Sequence, residues 1–232
     1  MTDILNIENL NVYYGKNHIL KDINLRISEG EIVGLLGESG CGKSTLAKTI
    51  CGLIDVSSGT VTVKDKPRMI FQDPYGSLNP SMKIGRILEE PLRINTKMNR
   101  DERKQRVVEM AERTGIDINL LNSYPDELSG GQRQRVSIAL SLMLNPSLVI
   151  ADEPVSALDV TIQKKVLTLL YELNRDYNVG MLFISHDLKV IYEMCSRIYI
   201  MKDGMIIEDG TDEEIFRNPK DEYTKSLLLS AM

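Results

Sequence analysis

Cysteine is scarce and scattered in this 232-residue chain: Cys41, Cys51 and Cys195 stand far apart. Such spacing makes neither a disulfide framework nor a metal-ligand cluster, so a reducing cytosol is the expected environment. There is no long block of lysine and arginine, and the formal net charge is -5. A nucleic-acid partner, which favours a basic stripe, is therefore not expected. The mixed run from Lys97 to Arg113 carries both signs and reads as a solvated helix face. No apolar stretch reaches the roughly 18–20 residues of a membrane span. Met1-Thr2-Asp3 lacks the basic start and apolar stretch of a secretion signal, so none is expected. Any membrane role would come through a partner. Internal repeats and low-complexity tracts are also missing.

What is present is the balance of a globular protein, 42% hydrophobic and 26% charged. The length allows one large domain, or a core with an inserted subdomain. Leu5 to Tyr14 alternates as a strand does, and Ile23 to Ile27 alternates again before a turn at Ser28-Glu29-Gly30. Ile32 to Leu36 is a continuous apolar run, as expected of a strand buried on both faces. It leads into a glycine loop and a helix over 44–52. Gly59 to Val63 and Met69 to Phe71 read as further short strands. From about Pro80 to Asn145 strand signals vanish and apolar residues recur at helical spacing, as at Ile84, Ile87 and Leu88. This predicts a helical insertion. Strand patterns return at Leu148–Ala151, Met181–Ile184 and Ile198–Met201, with a helix over Val160–Tyr177. Strand, crossover helix, strand is the grammar of a parallel sheet. Lys202-Asp203-Gly204 reads as a hairpin turn into Met205–Ile207.

Three segments carry chemistry. Gly37-Glu38-Ser39-Gly40-Cys41-Gly42-Lys43-Ser44 fits the phosphate-loop pattern, between a strand and a helix. Its glycines let successive N–H groups turn inward, and the helix that follows adds its N-terminal dipole. Lys43 would reach the β- and γ-phosphates as a point charge. Ser44 offers a hydroxyl to Mg²⁺, a hard cation that prefers oxygen. Cys41 sits inside the loop, where its small size matters more than its reactivity. The second segment is the strand Leu148–Ala151 followed by Asp152-Glu153. Asp152 would stand beside the metal, and Glu153 would accept a proton from an attacking water. An acidic helix cap is the plain alternative. The third is Leu128-Ser129-Gly130-Gly131-Gln132, a second glycine-rich turn in which Ser129 would cap a helix while the glycines let amides approach a phosphate.

With these segments in order, the chain resembles the ATP-binding-cassette (ABC) family over nearly its whole length. Leu128 to Gln132 looks like the signature motif, Gln72 like the glutamine loop, Ser156-Ala157-Leu158-Asp159 like the aspartate loop and His186 like the switch histidine. The resemblance implies an α/β fold: a P-loop NTPase core, a mainly parallel sheet flanked by helices, with an N-terminal antiparallel β part and an inserted α-helical subdomain. Residues 1–232 form a single ABC ATPase domain on this reading. Residues 1–80 and 146–232 make the nucleotide-binding core and 81–145 the helical signature-motif subdomain. ATP and Mg²⁺ are the implied cofactors. The nucleotide would be held by Tyr14, by Gly37 to Ser44 with Thr45, and by Ser129, Gly130, Gly131, Gln132 and Asp159. Ser44, Gln72 and Asp152 would serve Mg²⁺, with Glu153, His186 and Gln72 as the catalytic group. An aromatic stacks on adenine in this family, and strand alternation puts Tyr13 and Tyr14 on opposite faces, so only one can do so. Tyr14 is preferred from its place before Gly15. The other histidine, His18, matches no motif and is expected at the surface.

Gln72-Asp73-Pro74-Tyr75-Gly76-Ser77-Leu78-Asn79-Pro80, Val155 to Gln163 and the ending around Tyr223-Thr224 resemble the importer branch for oligopeptides, dipeptides and nickel. The stretch from Gly59 to Phe71 is shorter than usual there. The chain stops at Met232, and no cysteine-bearing tail is expected. The implied partners are multi-span permease subunits, a second ABC ATPase subunit in a homo- or heterodimer and, indirectly, an external solute-binding protein. The implied place is the cytoplasmic face of the membrane. The alternative is a non-transport ABC-type ATPase acting on ribosomes or nucleic acid, for which a fused second cassette, a coiled coil or a basic arm would be typical. A GTPase would want a guanine-reading Asn-Lys-x-Asp, and none is found. A phosphate-loop kinase has no use for the Ser129 turn.

Overall fold

The computed structural model describes residues 2–230, with backbone only at positions 74, 75 and 230. Met1 and Met232, on which the expectations about the chain's ends partly rest, lie outside the described residues. Contacts divide the chain into two compact units: residues 1–69, 147–153 and 173–232, and residues 70–146 and 154–172.

The first unit begins with β1 (Asp3–Tyr14) and β2 (Asn17–Ser28), an antiparallel pair joined by β4 (Ser58–Val63) in the order β2-β1-β4. The apolar pattern in β1 is not a simple alternation. Leu5 and Ile7 are buried, then Leu10 and Val12, three residues on. In β2 the buried set jumps from Leu20 to Ile23 before Leu25 and Ile27. A step of three would turn the second half of each strand inside out, because side chains alternate with period two. An irregular residue at each jump restores the inward face. These are Asn9 and Asp22, both at φ 49° and of the types that tolerate the left-handed region. Asn11 bridges the irregularities, donating to Asp22 Oδ1 at 2.8 Å.

The second sheet runs β5-β6-β7-β3-β8-β9, with β3 at Ile32–Leu36, β5 at Arg68–Ile70, β6 at Leu148–Asp152, β7 at Gly180–Ile184, β8 at Arg197–Lys202 and β9 at Met205–Thr211. β6, β7, β3 and β8 are parallel, and β9 pairs antiparallel with β8 through the predicted hairpin. Every residue of β3, β6 and β7 is buried, which is why these read as unbroken apolar runs. Ile4, Leu10, Val33, Leu46, Ile150 and Leu182 belong to one core cluster drawn from both sheets and α1 (Lys43–Ile50). Each such side chain contributes about 1.5–3 kcal/mol by leaving water. The fold is the one expected: a mostly parallel sheet with helices and an antiparallel N-terminal sheet. Three helices close this unit: α7 (Leu188–Met194), α8 (Asp212–Arg217) and α9 (Glu222–Ser230).

The second unit is helical. Pro74–Ser77 forms the short α2, followed by α3 (Ile84–Asn95), α4 (Arg100–Arg113) and α5 (Gly130–Leu142), and α6 (Val160–Tyr177) begins in it. α3 buries Ile84, Ile87, Leu88 and Leu92, one stripe at helical spacing. α4 starts at a reciprocal cap, in which Asn99 accepts from the Glu102 amide at 3.0 Å and the Glu102 side chain accepts from the Asn99 amide. Its charges are mostly solvated, as the mixed run predicted, and Arg103 pairs with Glu89 at 2.8 Å.

Candidate functional site

Parallel strands end on one edge of a sheet, and three of them deliver the chemistry there. β3 ends at Leu36 and opens the loop 37–42, β6 ends at Asp152, and β7 ends at Ile184 before Ser185-His186. β7 lies between β6 and β3, so the three carboxyl ends are neighbours.

The loop enters α1 through Gly42, whose φ of 114° is open only to glycine and which gives the helix no side-chain cap. The Lys43 ammonium is buried and folds over the loop, donating to the Gly37 and Glu38 carbonyls at 2.7 and 2.8 Å. Glu38, Ser39 and Gly40 are exposed, and Thr45 is half-buried in the first turn of α1. Two distant groups hold the loop from outside. The Gly204 N–H donates to the Cys41 carbonyl at 3.0 Å, and the Glu38 N–H donates to the Tyr223 hydroxyl at 3.1 Å. Burial pushes the Cys41 thiol up, against the pull of Lys43. Its Sγ accepts from the Lys43 ammonium at 3.8 Å.

Asp152 is nearly buried. Burial pushes its carboxyl above the usual aspartate range, the Ser44 hydrogen bond pulls it back, and the neighbouring Glu153 adds repulsion. A hydroxyl and a desolvated carboxylate thus meet at the start of α1. These are hard oxygen donors, the set that fits Mg²⁺, and a cation there would offset the burial cost of the carboxylate.

Glu153 is held at φ 47°, a backbone state that costs a non-glycine residue about 1–3 kcal/mol. Its N–H donates to the Ile184 carbonyl at 2.9 Å, which locks the bend onto β7. The bend aims its carboxylate at His186, with Nδ1 3.0 Å from Oε1. Glu153 is largely covered while the His186 side chain is 65% exposed, so the pair has one sheltered and one open end. Tyr14 is exposed beside Gly15. Tyr13 is occupied: its ring stacks on His18 at 4.1 Å. His18, expected at the surface, is instead half-buried under that ring and bonded to Asn11 Oδ1 at 2.8 Å.

Gln72, the Ser129 turn and Asp159 belong to the helical unit. Gln72 is exposed between β5 and α2. Ser129 caps α5, its Oγ accepting from the Gln132 amide at 3.4 Å while Gln132 Oε1 accepts from the Ser129 amide at 2.8 Å. Ser129 and Gly130 are exposed, and Gly131 and Gln132 half-buried. The Asp159 carboxylate accepts from the Thr161 and Ile162 amides at 3.1 and 3.0 Å, so it caps the start of α6. Sequence reasoning valued Tyr223 only as a branch marker and missed its bond to Glu38. The two lie 185 positions apart, and nothing local to either announces the contact.

The family model described as "ABC transporter" matches residues 20–156. The chain belongs to the ABC transporter family. It is an ATP-binding, ATP-hydrolysing cassette of that family. Among similar proteins, the oligopeptide transport ATP-binding protein OppF of Escherichia coli is 45% identical over 223 residues, covering 89% of this chain and 67% of that one. The dipeptide transport ATP-binding protein DppF of Haemophilus influenzae is 42% identical, covering 90% and 69%. Among solved structures, cbiO1 of Clostridium perfringens, described as part of the ABC transporter complex cbiONQ, matches with a TM-score of 0.85 and 31% identity. That match covers 94% of this cassette and 92% of cbiO1. The cassette MJ0796, described as dimeric and bound to ADP and Pi in a post-hydrolysis state, matches at TM-score 0.79 and 30% identity, covering 89% and 98%.

Proposed function

We propose that this cassette powers an importer of oligopeptides or dipeptides from the inner face of the membrane. The cargo reading rests on the 40–45% identity to proteins named for peptide transport, with the resemblance of Gln72–Pro80 and Val155–Gln163 beside it. Nickel is the other cargo of that branch, and none of those relatives is named for it. No helix among the described residues is long and apolar enough to cross a membrane, so multi-span permease subunits are the partners proposed, served from outside by a solute-binding protein.

One observation carries the hydrolytic reading: Glu153 and His186 stand 3.0 Å apart on adjacent strand ends, next to the strand that opens the Lys43 loop. Lys43 and the loop amides through Thr45 hold the triphosphate, with Tyr14 as the free ring for adenine. Ser44 and Asp152 would hold Mg²⁺, which when bound neutralises phosphate charge. Glu153 takes the proton of the attacking water, and His186 keeps its carboxylate aimed. The Ser129–Gln132 turn serves the nucleotide of a second ATPase subunit, identical or different, with Asp159 coupling the two sites. Residues 1–80 and 146–232 are the nucleotide-binding core, and residues 81–145 are the part that passes the nucleotide state to the permeases.

The test is Glu153→Gln. Turnover falls about 10²- to 10⁴-fold, the usual worth of a general base, and an ATP-bound dimer accumulates in size-exclusion light scattering. A monomer at saturating ATP overturns the shared-site reading. Peptide uptake unchanged in a deletion strain overturns the cargo.

A further inference from the structure

Residue 38 links the phosphate loop to the end of the chain. Its N–H donates to the Tyr223 hydroxyl at 3.1 Å, and its carbonyl accepts from the Lys43 ammonium at 2.8 Å. Tyr223 is itself held at its backbone and at its ring, and the turn before it is tied to β9. Its N–H donates to Asp221 Oδ1 at 2.8 Å. The Lys220 and Asp221 amides donate to the Glu208 carboxylate on β9 at 2.7 and 3.1 Å. The Lys202 ammonium lies 4.6 Å from the centre of its ring, within reach of a cation–π attraction. Burial pushes the Tyr223 phenol up, so the hydroxyl that meets Glu38 is neutral. A continuous set of bonds therefore runs from the sheet through α9 to the backbone that holds Lys43.

We propose that Tyr223 is a positioning residue of the nucleotide site. Its hydroxyl fixes Glu38 and, through the Glu38 carbonyl, the Lys43 ammonium. The inference rests on the reading of Gly37–Thr45 as the ATP site. A loop ordered before its ligand arrives loses less freedom on binding, so the bond acts on affinity. Tyr223 touches no reacting atom, so the chemical step should hardly notice it.

The experiment is Tyr223→Phe in the full chain, which keeps the ring beside Lys202 and removes one oxygen. ATP affinity by calorimetry with Mg²⁺ present should weaken about 3- to 10-fold, the worth of one net hydrogen bond. KM should rise with it, while kcat stays within about two-fold, as expected when ground and transition states lose binding alike. Without nucleotide, the Glu38 amide should exchange with deuterium faster while the thermal midpoint holds. Unchanged ATP affinity, or unchanged exchange at Glu38, overturns the proposal. So does a joint fall of midpoint, kcat and affinity, which marks a merely structural tyrosine. If the wild-type chain binds no ATP, the phosphate-site reading fails and takes this inference with it. If wild type binds and Tyr223→Phe binds equally well, only the inference fails.

Discussion

The protein has two glycine-rich turns that open helices, and they solve the same local problem differently. A helix start leaves backbone N–H groups without partners. At α1 the capping residue is Gly42, left-handed and without a side chain, so no side-chain cap is made there. At α5 the capping residue is Ser129, extended at φ -68°, and it closes a reciprocal box with Gln132. The glycines also differ in purpose. Gly42 supplies a backbone angle that other residues resist. Gly131 supplies space: an added Cβ would come within 2.8 Å of Ile162 Cγ2. The first turn thus leaves its helix start without a side-chain cap and has a lysine folded over it. The second closes a cap over the Ser129 and Gln132 amides and presents an exposed serine. On the proposed reading, one is a complete phosphate site and the other is a surface offered to a second subunit's nucleotide.

Substitutions in the two turns should therefore fail in different ways. Ser129→Arg should cost most in turnover, about 10²- to 10³-fold by analogy with losing one transition-state donor. The same chain should still bind ATP within about two-fold, as measured by calorimetry on dilute protein. Retained hydrolysis removes the turn from the site and dissolves the contrast. Lys43→Ala should instead act on binding itself, weakening ATP affinity by about 10- to 100-fold, the range for a lost charged hydrogen bond. Unchanged titration of ATP would contradict the phosphate site. Gly131→Ala should be the mildest. Overpacking against Ile162 costs about 1–3 kcal/mol, and the better helix propensity of alanine returns up to about 1 kcal/mol. The midpoint of thermal unfolding should drop by a few degrees, and Gly131→Ala with Ile162→Ala should recover part of it. A rise in midpoint for the single variant would mean the glycine is there for something other than space.

Much of this was legible before the fold. β3, β6 and β7 stood out as unbroken apolar runs because both faces of a central parallel strand are covered. The Ser129 cap and the loop before α1 were legible because each is a property of a few consecutive residues. Other features were not. α7 and α8 are short helices whose placement depends on what they pack against, and neither was foreseen. His18 matched no motif and was expected outside, yet the hairpin folds Tyr13 over it. The contrast in β1 and β2 is instructive: the three-residue steps at Ile7 to Leu10 and Leu20 to Ile23 are visible in the sequence, but their meaning as irregularities appears only once the strands are paired.

The sequence by itself determined the elements and their chemistry: a lysine in a glycine loop, two carboxylates after a buried strand, a capped second turn. These are short-range properties, set by backbone preference and periodicity. The tertiary structure alone decided which of them meet. Parallel pairing of β6, β7 and β3 brought Asp152 to Ser44 and Glu153 to His186, and the return of β9 and α9 put Gly204 and Tyr223 against the loop. Such contacts join residues tens to nearly two hundred positions apart, and only the packing of a shared core fixes distances of that kind.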